Sequence, residues 1–203
     1  MKKEIILDGQ NDREIYLVRH GERMDFNEKK EWDSEWPKRA ANLGLEQEDA
    51  PLTERGHAQA RKTAELISRN VKNVYTSPFL RCVQTAEAIS KSLGCELIRT
   101  ADLTEWMNPE WFGRDDYGFF EKRHLTTFPP IFAPGLPKIP ESWTEAMERM
   151  NAILDNLRIQ DDDFFPICVV THGWLIHHAV NTVNPGSMDG KIVDYANCYR
   201  ISI

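Results

Sequence analysis

Six side chains whose types are common in anion binding and in acid, base or nucleophilic catalysis lie shortly after four short apolar stretches of the chain. Each stretch has the length and composition of a buried β-strand. The six residues are, in chain order, Arg19, His20, Arg23, Arg81, Glu105 and His172. Because ligands of open α/β sheets bind beyond the carboxyl ends of the strands, we expect these side chains to converge on one ligand.

The chemistry of these residue types indicates a phosphoryl group as that ligand. Arginine guanidinium groups bind phosphate oxygens in a bidentate manner, and a neutral imidazole is a good nucleophile at pH 7. Gly21 and Gly173 follow the two histidines and would let the backbone approach a ligand closely. The set therefore predicts a site for a phosphomonoester.

Alternating strands and helices must position these residues. Strands are predicted at residues 15–18, 71–76, 95–98 and 167–170, with an edge strand at 197–203. Thr53, Ser77 with Pro78, and Ser142 are residues that begin helices, and a last helix should start near Gly173. This order predicts an α/β fold, a three-layer sandwich whose mostly parallel central sheet is covered by helices on both faces.

Two stretches break the alternation, residues 22–50 and 104–143, and both are predicted to cross over the top of the sheet. The second is rich in aromatic residues: Trp106, Trp111, Phe112, Tyr117, Phe119, Phe120, Phe128, Phe132 and Trp143. Because this stretch follows Glu105 directly, we expect part of these rings to anchor the loop and the others to form an apolar wall beside the phosphate. Such a wall favours aryl, phosphotyrosine or other hydrophobic phosphomonoesters.

Composition limits the other classes of function. The 203 residues suit one domain over 1–203, and the net charge of −7 argues against nucleic acid as a partner. No apolar run is long enough to span a membrane. Four cysteines without paired spacing are typical of reduced thiols, which predicts a cytoplasmic protein. A homodimer is left open.

Several motifs, in order along nearly the whole chain, resemble those of the histidine phosphatase superfamily in its phosphoglycerate-mutase-like branch. They are Leu17-Val-Arg-His-Gly-Glu22, Pro51-Leu-Thr-Glu-Arg-Gly-His-Ala-Gln-Ala60, Thr76-Ser-Pro-Phe-Leu-Arg81, Gln84-Thr-Ala86, Leu103-Thr-Glu105 and Val169-Val-Thr-His-Gly173. Within the branch, the stretches 19–25 and 77–86 and the pair Glu105-Trp106 are similar to the phosphatase domain of the Sts (T-cell receptor signalling suppressor) proteins and to insect ecdysteroid-phosphate phosphatases.

The resemblance implies a phosphoglycerate-mutase-like sandwich and a role for each candidate residue. His20 would attack phosphorus in line and form a phosphohistidine. Arg19, Arg23, Arg81 and His172 would hold the phosphoryl oxygens, with Arg19, Arg81 and His172 also catalytic. Glu105 would protonate the leaving oxygen and then deprotonate the attacking water. This chemistry implies no metal and no cofactor.

Two other functions stay open on the sequence. One is a mutase that returns the phosphoryl group to substrate; Lys122-Arg123 followed by Pro129-Pro130 is similar to a substrate-clamping segment of phosphoglycerate mutases. The other is a weakly active phosphate-binding module. Asp102 and Glu110 compete with Glu105 for the role of the acid.

Spacing argues against both a cysteine phosphatase and a zinc site. None of the four cysteines has an arginine six positions later. His172, His177 and His178 do not share one helical face, so they are unsuited to a zinc site.

Overall fold

The structure is a computed structural model that describes residues 5–6, 13–26, 31–108, 110 and 127–203. Within these ranges, one sheet contains β1 (Ile5–Ile6), β2 (Glu14–Arg19), β3 (Asn73–Thr76), β4 (Glu96–Arg99), β5 (Ile167–Thr171) and β6 (Cys198–Ser202). The strand order across the sheet is β1-β6-β2-β5-β3-β4. The helices are α1 (Trp36–Asn42), α2 (Glu54–Ala64), α3 (Leu80–Leu93), α4 (Trp143–Arg158) and α5 (Gly173–Val183).

The side chains of β2 show how the sheet separates two layers of helices. Ile15 and Leu17 pack into a core that contains buried residues of α4 and α5. Tyr16 and Val18 point to the opposite face, where they pack with buried residues of α2 and α3. Successive residues of a strand face opposite sides of a sheet, so an apolar strand can complete two cores at once. The predicted three-layer α/β sandwich is confirmed.

Parallel pairing brings the ends of the inner strands to one edge of the sheet. β5 lies between β2 and β3 and is parallel to both, and β4 continues the parallel set beside β3. The register pairs Arg19 with Thr171 and Thr76 with Val170. The residues that follow these three strands therefore start at the same level, as the sequence predicts.

The last strand is not at the edge that the sequence predicts for it. β6 pairs in antiparallel fashion with β2 and in parallel with β1, so it lies inside the sheet. The misassignment has a simple cause: β1 is only two residues long, Ile5–Ile6, and such a short strand has no pattern to detect.

Three of the four predicted helix starts are confirmed. The Thr53 side chain accepts a hydrogen bond from the Gly56 amide at 2.9 Å, Ser142 and Glu145 form a capping box, and α5 begins at Gly173. The Ser77-Pro78 start is wrong by two residues. α3 begins at Leu80, because the carboxylate of Asp49 accepts its amide at 2.6 Å in place of a local cap.

Buried side chains are present in the described residues of both excursions. The first holds the short helix α1, which the sequence did not predict, with Trp36 fully buried. In the second, the Asp102 carboxylate accepts the amides of Ile131, Phe132 and Ala133 and anchors the returning chain. Among the described residues, no helix combines the length and the apolar composition needed to cross a membrane.

Candidate active site

His20 is buried directly beyond the end of β2. Its Nδ1 lies 2.8 Å from the Gly21 carbonyl oxygen, which can only accept, so Nδ1 carries the proton and Nε2 keeps its lone pair. Burial, together with the charges of Arg81, Arg19 and Arg23, holds the pKa of His20 well below 6.5. The imidazole is therefore neutral at pH 7, in the tautomer that a nucleophile requires.

His172 follows β5, and its ring lies beside that of His20 with 5.4 Å between the centroids. Its Nε2 is 2.9 Å from the Ser77 hydroxyl, a partner that the sequence analysis assigned to a helix start instead. Burial and then the charge of Arg81 hold the pKa of His172 well below 6.5. Both histidines are thus uncharged before an anion arrives.

Arg19 and Arg81 each leave one buried donor without a protein partner among the described residues, the Nε atom. Arg19 donates another N–H to the Val193 carbonyl, and its guanidinium lies 4.4 Å from the centre of the Tyr195 ring. Arg81 donates to the Glu48 carbonyl at 3.2 Å. A buried unsatisfied donor is costly, so these Nε atoms are suited to an anion that enters the site.

Arg23 differs from the other two arginines because it already has an acidic partner. It donates two hydrogen bonds to the carboxylate of Asp25. Burial is the largest single influence and would lower the pKa of Arg23, but the charge and the hydrogen bonds of Asp25, together with Tyr195 and Glu105, raise it. Arg23 was predicted to lie near the site, and it does line the same cavity as His20. Its backbone forms an isolated bridge to Leu52.

Glu105 is 8% exposed and faces the histidines from the loop after β4. Its Oε2 lies 3.3 Å from Nδ1 of His172, and its Oε1 accepts the Trp106 amide at 3.0 Å. The contact with His172 is an ion pair only when that imidazole is protonated, which its lowered pKa disfavours. Burial raises the pKa of Glu105 above 4.5, although the nearby arginines oppose this. A carboxyl group in this state is suited to donate a proton.

Asp102 and Glu110, the two other candidates for the acid, differ from Glu105 in their contacts. Asp102 is fully buried; one carboxylate oxygen accepts three backbone amides and the other accepts the Thr100 hydroxyl, so it serves the loop. Glu110 is exposed and also lines the cavity. Glu105 alone among these three contacts His172.

The site opens into a cavity of about 830 Å³. Its apolar lining consists of Phe26, Trp32, Trp174, Ile192 and Val193. Of the aromatic residues for which the sequence predicts either an anchoring role or a place in the apolar wall, Trp106, Phe128, Phe132 and Trp143 do not line this cavity, so the wall stays a prediction. Trp111, Phe112, Tyr117, Phe119 and Phe120 lie outside the described residues, as do Lys122 and Arg123.

Gly21 and Gly173, which follow the two histidines, lack side chains that would collide with other parts of the protein. A Cβ on Gly21 would lie 2.6 Å from the Gly56 carbonyl oxygen, and one on Gly173 would lie 3.3 Å from Nε of Arg19. These glycines were expected to allow a close approach to a ligand. Instead, α2 lies close to Gly21 and the Arg19 side chain lies close to Gly173.

The sequence model of the histidine phosphatase superfamily (branch 1) matches residues 15–201. This span contains all six candidate residues. The chain belongs to the histidine phosphatase superfamily. Among curated relatives, a protein named probable phosphoglycerate mutase GpmB from Photorhabdus laumondii is 33% identical over 182 residues, 84% of this chain and 74% of that protein. A protein of the same name from Cronobacter sakazakii is 31% identical over 182 residues, with the same coverage.

Solved structures of several phosphatases are similar to this one. A mycobacterial glucosyl-3-phosphoglycerate phosphatase aligns with a TM-score of 0.60 at 19% identity, over 94% of this chain and 91% of the other. The ecdysone phosphate phosphatase of Bombix mori, in complex with tungstate, aligns with a TM-score of 0.57 at 20% identity, over 93% and 87%. At such identities the likeness concerns the fold, and a special closeness to the Sts proteins stays a prediction.

Proposed function

We propose that this histidine phosphatase superfamily member hydrolyses phosphomonoesters through a phosphohistidine at His20. The observation that carries the proposal is the state of His20, a neutral buried imidazole with Nδ1 bound to a carbonyl and Nε2 unprotonated. It stands among arginines whose buried Nε atoms have no protein partner in the described part of the chain. Arg19, Arg23, Arg81 and His172 are the proposed phosphate ligands.

In the first step, Nε2 of His20 forms a bond to phosphorus while the bond from phosphorus to the ester oxygen breaks. The leaving oxygen receives the electron pair and takes a proton from Glu105. Arg19 and Arg81 stabilise the charge that spreads over the phosphoryl oxygens. The bound dianion also favours the protonated form of His172, which then adds a positive charge.

In the second step, water attacks phosphorus and the bond to His20 breaks. The Glu105 carboxylate accepts the proton of the water, which restores the acid for the next cycle. The products are inorganic phosphate and a neutral His20. Every step uses side chains of this chain only.

We propose aryl, phosphotyrosine or other hydrophobic phosphomonoesters as the substrates. A cavity of about 830 Å³ has room for a leaving group well beyond the phosphoryl group. Trp32, Trp174 and Ile192 line it with 49%, 48% and 81% of their surfaces exposed. Removing this apolar surface from water would favour a leaving group with a ring or another apolar body.

A phosphoglycerate-mutase reaction is the alternative, and the names of the curated relatives favour it. A mutase must also hold a second anionic group of its substrate. Beyond the three arginines and Glu105, the ionic lining of the cavity among the described residues is Lys191, Glu48 and Glu110. Two carboxylates and one ammonium group offer little attraction for a second anion.

The test measures kcat/KM for p-nitrophenyl phosphate and 3-phosphoglycerate, with phosphate release and isomerisation followed separately. We expect p-nitrophenyl phosphate to be hydrolysed far better than 3-phosphoglycerate. Faster turnover of 3-phosphoglycerate, or isomerisation without phosphate release, would replace the proposal with the mutase reaction.

The family match over residues 15–201 supports one domain, and four free cysteines support a cytoplasmic protein. The homodimer stays a prediction.

A further inference from the structure

A buried ion pair lies behind the loop that presents Glu105. Arg149 of α4 and Glu141 are 0% and 2% exposed. Nε and one terminal nitrogen of Arg149 donate to the two carboxylate oxygens of Glu141 at 2.8 and 2.7 Å. This is the bidentate arrangement that fixes both side chains in one orientation.

The remaining donors of Arg149 reach the backbone of the Glu105 loop. They contact the carbonyl oxygens of Asp102 at 2.6 Å, Thr104 at 2.9 Å and Glu105 at 3.5 Å. One guanidinium group therefore holds three carbonyls in the four residues that end at Glu105. Replacing it would leave those buried carbonyls without a donor.

Glu141 holds the other side of the same loop through its backbone. Its carbonyl accepts the Trp106 indole N–H at 2.8 Å, and its amide donates to the Met107 carbonyl at 3.1 Å. The Trp106 amide in turn donates to Oε1 of Glu105 at 3.0 Å. The loop is thus fixed on both sides of Glu105, and the Glu105 carboxylate itself is oriented by a residue that Glu141 holds.

Stability alone is a weak reason to bury such a pair. The cost of removing two charges from water often equals or exceeds their attraction, and apolar residues of similar volume can be equally stabilising. Neither Arg149 nor Glu141 belongs to the described residues that line the cavity, so neither meets the substrate. Their contacts are concentrated on the loop that carries the proposed acid.

We propose that Arg149 and Glu141 are positioning residues that set the Glu105 carboxyl group at the distance from His172 needed for proton transfer to the leaving oxygen. The proposal rests on the proposed function, because it assumes that Glu105 is the acid. It predicts a defect that depends on the leaving group. An alkoxide must be protonated as it leaves, whereas p-nitrophenolate is a weak base and leaves without a proton.

The experiment compares kcat/KM for an alkyl phosphate, such as glycerol 1-phosphate, and for p-nitrophenyl phosphate in Arg149→Lys and Glu141→Gln. A displacement of the acid by about 1 Å should lower the alkyl value by about a hundredfold. The p-nitrophenyl value should change by no more than about threefold, because it does not require the acid. Arg158→Lys, in an exposed pair with Asp155 on the same helix, is the matched control and should change neither.

Two further measurements separate positioning from a general loss of structure. Tungstate is an analogue of phosphate and should inhibit by binding the proposed phosphate ligands, so its inhibition constant should be unchanged in a variant that is folded. If Arg149→Lys fails to bind tungstate, the two substrates are compared in Glu141→Gln instead, because this change preserves the size of the side chain. Equal losses for both substrates in a tungstate-binding variant, or no loss for either, would overturn the proposal.

Glu105→Gln distinguishes failure of this inference from failure of the proposed function. We expect it to show the same leaving-group dependence, with no further loss of alkyl phosphate hydrolysis when Arg149→Lys is added. If Glu105→Gln hydrolyses the alkyl phosphate normally, the acid has been misassigned and the proposed function must change. If Glu105→Gln is selective but the Arg149 and Glu141 variants are not, only the positioning role is wrong.

Discussion

Burial gives the two histidines and Glu105 opposite shifts in pKa, and both shifts favour the neutral forms. The pKa of each histidine lies well below 6.5, mainly because of burial, and the arginines add to this. The pKa of Glu105 is raised above 4.5 by burial. A neutral nucleophile and a protonated acid can thus coexist at mildly acidic pH, where neither would be fully present in water.

The pH profile of kcat/KM for an alkyl phosphate should therefore have its maximum on the acidic side of neutrality. As pH falls, activity is lost only when His20 becomes protonated, well below 6.5. As pH rises, activity declines when Glu105 loses its proton, above 4.5. The p-nitrophenyl phosphate profile should lack this second decline. A maximum above neutrality for the alkyl phosphate would contradict these assignments.

The three arginines should differ when each is replaced by alanine. Arg19→Ala and Arg81→Ala each remove an Nε donor that has no partner in the described part of the chain, so we expect kcat to fall by about a hundredfold or more, with a rise in KM. Arg23→Ala should be milder, because the charge of Arg23 is already compensated by Asp25. Steady-state kinetics of the three variants test this order, and equal effects confined to KM at all three positions would contradict it.

The types and positions of the candidate site residues were predictable from the sequence, because each follows a predicted strand. The residues that hold these side chains and their loops in place were not predictable. Ser77 has the sequence context of a helix cap, yet its hydroxyl bonds His172. Arg149 is one charged residue among several on α4, and nothing in the helical pattern distinguishes it from Arg158 at the surface. Both act across long sequence separations, which no local spacing reveals.

At the scale of elements, α2 packs against the loop that carries His20 through an unusually close contact between backbones. A Cβ on Gly56 would lie 2.2 Å from the Glu22 carbonyl oxygen and 3.0 Å from the Glu22 amide nitrogen. The contact is possible only because Gly21 and Gly56 both lack a side chain. It lets the start of α2 support the backbone beside the nucleophile.

Gly56→Ala should therefore destabilise the protein by about 1–3 kcal/mol or more, since both clashing atoms belong to backbone that cannot rotate away. The free energy of unfolding in urea measures this. Gly173→Ala is the comparison, because its added Cβ would press on the Arg19 side chain at 3.3 Å. We expect Gly173→Ala to reduce activity more than stability. A normal unfolding midpoint for Gly56→Ala would show that the two backbones are not in contact.

The boundaries of helices and strands were predicted correctly where they depend on adjacent residues. They were predicted wrongly where they depend on residues that are distant in the sequence. The caps at Thr53 and Ser142 are read from adjacent residues. The start of α3 at Leu80 depends on Asp49, a residue 31 positions away, so the local Ser77-Pro78 pattern was misleading. The position of β6 inside the sheet likewise depends on its pairing with distant strands.

At the scale of the whole molecule, the charge and the apolar surface are unevenly distributed. The chain has a net charge of −7, yet three arginines converge at one end of the sheet. An anionic substrate is thus attracted by a local field within an acidic protein. Beside that cluster, Trp174 contacts Trp143, whose ring centroid is 5.5 Å away, and supplies part of the apolar lining.

Trp174→Ala should lower kcat/KM for aryl phosphates by about tenfold, the effect of losing one ring contact and its buried area. Hydrolysis of a small alkyl phosphate should be nearly unchanged, because its leaving group does not reach the ring. Ile159→Ala, at a position that is 78% exposed and outside the cavity lining, is the control. Equal losses for both substrates would indicate that Trp174 supports the site and does not select the leaving group.

The most direct measurement of the central claim is the detection of the phosphoryl group on His20 itself. Wild type and Glu105→Gln are mixed with p-nitrophenyl phosphate, stopped in alkali and analysed by peptide mass spectrometry. We expect a base-stable, acid-labile phosphoryl group on His20, and more of it in Glu105→Gln, in which hydrolysis of the intermediate is slowed. His20→Ala should carry none and should lose about a thousandfold or more in kcat, as removal of a nucleophile does. A His20→Ala variant that keeps about a tenth of the wild-type rate, or a phosphoryl group on another residue, would contradict the account.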